Sequence, residues 1–183
     1  MIILICGQKF SGKSTVAQML SKITGYKVMS FADKLKDIVC LLSGCTREQL
    51  EDYDFKEKQL VPEHLRAYCG NADKPTYRAF LDNFGTGIMR QYNNDIWIDC
   101  TLNTAPENVI ISDCRFINEA EKVRKKGGVV IKVVRDSAPT DFSLVSEREI
   151  PLIQADYTIE NIGSKEDLFR KVCELTKNIL GKV

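Results

Sequence analysis

The sequence has one histidine, His64, and one tryptophan, Trp97, among 183 residues. It also has almost no net charge: 26 lysines and arginines stand against 25 aspartates and glutamates, leaving +1. No global field therefore favours nucleic acid or an anionic membrane, and neither is expected as a partner. No apolar run approaches the about 18 residues that a membrane span requires. No basic stretch precedes the first apolar segment, so a signal peptide is not expected. The seven cysteines (Cys6, Cys40, Cys45, Cys69, Cys100, Cys114 and Cys173) are odd in number and scattered, without a C-x-x-C. That pattern excludes a disulfide framework and a zinc site. It fits small buried thiols in a reducing cytoplasm. His64, beside Pro62-Glu63, is expected at the surface rather than as a catalytic base.

What is present starts with Ile2–Cys6, apolar without alternation, the pattern of a strand buried on both faces in a parallel sheet. Gly7, Gly12, Lys13 and Ser14 then complete G-x-x-x-x-G-K-[ST]. Glycines permit positive φ and close approach, so successive N–H groups of the Gly7–Thr15 loop, Lys9 and Ser11 among them, can nest a phosphate chain. A helix opening at Lys13 adds the positive end of its dipole. Lys13 would reach the β- and γ-phosphates of a nucleoside triphosphate, and Ser14 would hold Mg²⁺. A glycine-rich turn carrying a surface lysine is the bland alternative.

With 44% hydrophobic and 28% charged residues, one domain with a sizeable core is expected. Helical spacing runs from Lys13 to Ile23, stopped by Gly25; a short strand follows over 27–31, then a helix over 32–42 ended by Gly44. Thr46-Arg47-Glu48-Gln49 is a capping box. Residues 54–75 show little period. Phe80, Leu81, Phe84 and Ile88 mark a helix over 76–92, and 96–102 a shorter one. Strands are expected at 109–111, 129–134 and 157–159, with helices over 118–126 and from Ser164 to about Leu180. Alternating strands and helices predict an α/β fold with a mostly parallel sheet. The aperiodic stretches 54–75 and 136–154 are expected to be flaps.

Asp113 ends the third predicted strand, where a carboxylate can serve Mg²⁺; capping the next helix is the alternative. A GTPase is excluded: Asp113-Cys114-Arg115-Phe116 lacks the glycine of D-x-x-G, and N-K-x-D is absent. Arg78, Arg90, Arg115, Arg135 and Arg148 lie near element ends or in predicted flaps. Phosphoryl transfer runs on positioning and positive charge. An acceptor that is itself a phosphate needs no base, which suits a chain so poor in histidine.

Several further stretches resemble the bacteriophage-type deoxynucleoside monophosphate kinases. They are Phe31-Ala32-Asp33-Lys34-Leu35-Lys36, then Arg78 with Phe84-Gly85-Thr86, Arg90 and Trp97, and then Ile111 through Phe116 with Asn118-Glu119-Ala120. Gly127-Gly128, Val134-Arg135, Ala155-Asp156-Tyr157 and Asn161-Ile162-Gly163 continue the series. Asp82-Asn83 departs from it, standing where a glutamine is expected in an Arg-x-x-Leu-Gln-type run. The resemblance implies a three-layer P-loop kinase fold spanning 1–183, with an acceptor-binding segment at about 31–100 and a lid at about 135–154. It implies transfer of the ATP γ-phosphate to a deoxynucleoside monophosphate, with Mg²⁺, in the cytoplasm, that of the host for a viral chain. Phe31, Ala32, Lys34, Lys36, Phe84, Gly85 and Thr86 would lie at the acceptor site. Arg78 and Arg90 would grip its phosphate, and Trp97 would shape its pocket. Lys13, Arg115, Arg135 and Arg148 would act on the transferring group, and Asn161 and Gly163 would lie against adenine. The family tends to dimerise, and Ile88, Met89 and Trp97 could supply an apolar surface or equally core packing. A kinase for a non-nucleotide phosphate such as phosphomevalonate, or a non-catalytic nucleotide-binding regulatory module, are the alternatives.

Overall fold

The computed structural model describes residues 1–135 and 145–181. Residues 136–144 of the expected lid lie outside them. The chain divides into two compact units, one of Met1–Phe31 with Leu102–Val183, the other Ala32–Thr101.

The first unit holds strands β1 (Ile2–Cys6), β2 (Lys27–Met29), β3 (Val109–Cys114), β4 (Val129–Val134) and β5 (Tyr157–Glu160) in one sheet, ordered β2-β3-β1-β4-β5. Every pairing between them is parallel. Ile3, Ile5, Ile110, Ile131, Val133 and Ile159 pack on one face with helices α1 (Lys13–Thr24) and α10 (Lys165–Leu180). Alternation sends Leu4, Ile111 and Val130 to the other face, where they too are fully buried. Helix α8 (Ile117–Lys125) lies against β1 and β4. The result is a three-layer α/β fold. Gly25 ends α1 at φ 75°, and Ser164 caps α10, accepting from the Asp167 N–H while the Asp167 carboxylate accepts from Ser164 N–H. The strand expected over 27–31 stops at Met29 because Ser30 and Phe31 turn to the Asp113 carboxylate. Within 145–154 the chain forms a short helix, α9 (Val145–Arg148), and a 3₁₀ turn, Ile150–Leu152.

The second unit is helical: α2 (Ala32–Ser43), α3 (Arg47–Glu51), α4 (Tyr53–Lys58), α5 (Tyr77–Asp82), α6 (Arg90–Tyr92) and α7, which runs on to Leu102 (Ile96–Leu102). Thr46 and Gln49 close the expected capping box. The aperiodic stretch 54–75 folds largely into α4 and a 3₁₀ helix, Glu63–Cys69, with Val61, Leu65 and Cys69 buried. One expectation needs correction. The helix over 76–92 is not uniform, because Asn83–Met89 is π-helical. Two contacts go with that widening. A Cβ on Gly85 would stand 2.5 Å from Leu35 Cδ2, and the Trp97 indole N–H donates to the Gly85 carbonyl at 2.9 Å.

Candidate active site

The loop after β1 is shaped by what its glycines must avoid. Gly7 has φ 149°, and a Cβ there would meet the Val133 carbonyl at 2.4 Å; Gly12 has φ 101°, and its Cβ would meet Asn161 Nδ2 at 2.4 Å. Phe10 takes φ 63° without being glycine, a strained conformation of the kind that gathers at functional loops. Lys13 opens α1 and folds back, donating to the carbonyls of Gly7 (2.7 Å) and Gln8 (2.6 Å). Burial, and then the Arg115 guanidinium, bring its pKa down to about 8, while Glu147 and Asp113 oppose the shift. Ser14 and Thr15 on the first turn are exposed. Ser11 is buried, its hydroxyl lacks a hydrogen-bond partner among the described residues, and it lines a cavity of about 240 Å³ with Gly7, Val134 and Arg135.

Asn161, expected near adenine, props this loop: its side-chain amide donates to Ser11 C=O at 2.8 Å. Gly163 is exposed at φ 99°. Asn161→Ala leaves the Ser11 carbonyl without that donor, a loss of about 1 kcal/mol in loop order. A several-fold rise in the KM for ATP, with the acceptor KM unchanged, is the expected steady-state result.

The neighbouring strand carries the acid. Leu4 pairs with Ile111 but Cys6 with Cys114, so β3 has one residue more than β1 across Ser112-Asp113. Such a bulge re-aims a side chain. The Asp113 carboxylate accepts from Ser30 Oγ at 2.5 Å and from Phe31 N–H at 2.7 Å. It does not cap the next helix, which starts at Ile117 after Phe116. That end is served by Glu119, whose carboxylate accepts from the N–H groups of Arg115 (2.7 Å) and Phe116 (3.0 Å). Arg115 Nη1 is ion-paired with Glu147. Glu147 Oε2 also accepts from the Lys9 N–H of the loop at 3.3 Å, and Glu149 accepts from Ile117 N–H at 2.9 Å. Arg135 and Arg148 are exposed.

Asp113 and Arg115, at the carboxyl end of β3, are thus both within electrostatic reach of Lys13, which follows β1 and is distant from them in sequence. Glu147 and Glu149 were not anticipated; nothing in an aperiodic charged stretch marks them. Glu119 carried a signal, as an acid three residues after the turn that opens its helix. The buried thiols Cys6 and Cys114 have raised pKa values, Cys6 reaching about 11, chiefly through burial. They are inert small hydrophobes.

In the second unit, Lys36 holds both oxygens of Glu51 at 2.7 and 2.8 Å, and Arg78 Nε holds Glu57 at 3.0 Å. Lys56, missed in the sequence, links them: its pKa is lowered by burial first and then by Lys36 and Arg78. Lys34 lies 3.9 Å from Asp37, and Arg90 is buried. Phe84 stacks on Phe80 with ring centroids 5.1 Å apart. Thr86 and Ala32 are half-buried, and Phe31, in the first unit, is buried. Trp97 is buried as well, which removes it from any dimer surface.

The family model for deoxynucleotide monophosphate kinases matches residues 44–172. Over 189 aligned residues, covering 97% of this chain and 96% of the relative, the chain is 30% identical to the "Putative deoxynucleotide monophosphate kinase" of Acanthamoeba polyphaga mimivirus. It is 27% identical over 108 residues to the deoxynucleotide monophosphate kinase of Enterobacteria phage T4, covering 55% of this chain and 45% of that one. Among solved structures, shikimate kinase from Aquifex aeolicus superposes with a TM-score of 0.50 at 19% identity, covering 99% of each chain, a likeness of fold alone. With its three-layer parallel sheet, its phosphate-binding loop and a match over most of its length, the chain belongs to the deoxynucleotide monophosphate kinase family.

Proposed function

We infer that the protein transfers the γ-phosphate of ATP to a deoxynucleoside 5′-monophosphate, releasing ADP and the deoxynucleoside diphosphate. The observation that carries this reading is that Arg115 and Asp113 both lie within electrostatic reach of Lys13, beside the Gly7–Thr15 loop. An oxygen of the acceptor phosphate attacks the γ-phosphorus, and the bond to the β–γ bridging oxygen breaks. Cations that follow the migrating charge lower that barrier. We assign Gly7–Thr15, with Lys9, Ser11, Gly12 and Ser14, to the triphosphate. Lys13 and Arg115, with Arg135 and Arg148, are assigned to the transferring group. The orphaned Ser11 hydroxyl and the cavity beside it support a polar ligand there.

We assign the second unit to acceptor binding. Lys36, Lys56 and Arg78 would take the acceptor phosphate, joined by Lys34 and Arg90. Their carboxylate partners Glu51 and Glu57 hold the lysine and arginine side chains in place until it arrives. Trp97, bonded to Gly85, would fix the π-helical wall carrying Phe84 and Thr86. Asn161 and Gly163 would support the adenine end.

Mg²⁺ fits the donor set. Ser14 and Asp113 offer hydroxyl and carboxylate oxygens, hard ligands suited to it. No cluster of three or more His, Cys, Asp or Glu able to hold a metal occurs among the described residues. An ion here would take its other ligands from phosphates and water, as Mg²⁺ does. Asp113, with both oxygens hydrogen-bonded, would act through a bound water. When bound, the ion would neutralise charge on the phosphates.

No helix among the described residues is long and apolar enough to cross a membrane. Because ATP and deoxynucleotides are its reactants, we place the activity in the cytoplasm, the host's for a viral chain.

Coupled ADP production with dGMP, dTMP, dCMP and dAMP tests the reading. Saturable turnover with at least one of them, and none with phosphomevalonate, is expected. Slow ATP hydrolysis unaffected by any acceptor would overturn it in favour of a regulatory nucleotide-binding module.

A further inference from the structure

Glu147 is only 1% exposed, yet it is a carboxylate. A buried charge is costly unless it is paired and hydrogen-bonded. Both of its oxygens are engaged, Oε1 by Arg115 Nη1 and Oε2 by the N–H of Lys9 in the phosphate loop. The geometry is one-sided in an informative way. A guanidinium offers five N–H donors in a planar fork. Among the described residues, Arg115 makes no side-chain hydrogen bond other than the one through Nη1 to Glu147. Its Nε and Nη2 edge is thus left for another anion. The backbone of Arg115 is fixed independently, because Glu119 accepts its N–H. The next turn is tied to the Glu147 segment by Glu149 on Ile117 N–H.

We propose that Glu147 is a positioning residue. It clamps one edge of the Arg115 guanidinium against the phosphate loop, so that the other edge faces the transferring phosphoryl group. The contact to Lys9 N–H ties that aim to the loop which would hold the phosphates, so guanidinium and loop move as one body. Displacement of a catalytic group by about 1 Å can cost about a hundredfold in rate, which makes such a clamp consequential. The proposal rests on the assignment of Arg115 to the transferring group.

The test is a double-mutant cycle on the full chain, with kcat and the KM for ATP measured for wild type, Glu147→Gln, Arg115→Gln and the double variant. Glu147→Gln keeps the shape and removes the charge. Its kcat is expected to fall about tenfold or more, with no rise in the KM for ATP. In the Arg115→Gln background the same change is expected to alter kcat less than about twofold, since neighbours acting through one group are not additive. Glu147→Asp, which keeps the charge, is expected to recover part of the lost kcat. A Glu147→Gln effect equally large with and without Arg115, or no recovery by aspartate in a variant that melts like wild type, would overturn the proposal. If Glu147→Gln does not fold, Glu147→Asp with Arg115→Lys forms the second cycle, judged by the same criterion. If wild type turns over no deoxynucleotide, the proposed function fails. The clamp is then read from affinity for a fluorescent ATP analogue, where additive losses would refute it.

Discussion

Replacing Lys13 by methionine is expected to lower kcat about a thousandfold while leaving the fold at least as stable. Methionine keeps the length of the side chain and removes its charge. The ammonium folds into the phosphate loop, donating to the Gly7 and Gln8 carbonyls. It is held there against burial and against Arg115, which is why its pKa falls to about 8 from 10.5. The sign of the stability effect follows. Between the folded and unfolded pKa values the unfolded chain binds more protons, so this group's contribution to stability rises with pH from about 8 to 10.5 and is least favourable below 8. At pH 7 its removal relieves that cost, and thermal melting should show a Tm equal to or above that of wild type. A triphosphate reverses the balance by favouring the charged form. ATP binding near pH 8 should therefore take up a proton, seen in calorimetry as a heat that varies with the ionisation enthalpy of the buffer. The ratio kcat/KM for ATP should decline on an alkaline limb near pH 8, since that ratio reports the free enzyme. The limb should be absent in Lys13→Arg, whatever the residual rate.

Arg115→Gln is expected to cost about a hundredfold to a thousandfold in kcat, with a fall in Tm that Lys13→Met does not show. The contrast arises from Glu147. Losing the guanidinium leaves a carboxylate that is almost wholly inaccessible, held among the described residues by the Lys9 amide and the field of Lys13, and breaking one side of a buried pair is strongly destabilising. Arg115→Lys should keep most of the stability and little of the rate, because an ammonium replaces the charge but not the planar fork. Paired melting curves and steady-state rates check both parts.

The sheet was legible because Ile2–Cys6 and Val109–Ile111 are apolar on both alternations and Val129–Val134 is interrupted only by Lys132, as two-sided burial demands. The phosphate loop was legible because its shape depends on glycines at fixed spacing. Helix ends at Gly25, Thr46 and Ser164 were legible because capping is local chemistry. The π-helical stretch was not. Phe80, Phe84 and Ile88 fit an ordinary helical period, and what accompanies the widening is tertiary: Leu35 against Gly85 and the indole of Trp97 on its carbonyl. The bulge at Asp113 depends on pairing with β1, which no run of residues displays. Glu147 was invisible for a similar reason. An acid in a charged stretch reads as solvated, and only packing reveals that it is enclosed. The cluster of Lys36, Lys56 and Arg78 arises from three separate helices, so two of its members were expected singly and the third not at all.

The π-helical segment also sets phase. In a regular helix each residue turns the chain by about 100°, and a π turn accommodates an extra residue without breaking the run. Across Asn83–Met89 that surplus rotates everything downstream relative to α5, so the face on which Arg90 emerges differs from the one that counting in 3.6-residue turns from Phe80 would give. Relatives with an uninterrupted helix here would be shorter by a residue. Aligning them without a gap would pair Arg90 with a side chain on the wrong side of the rod.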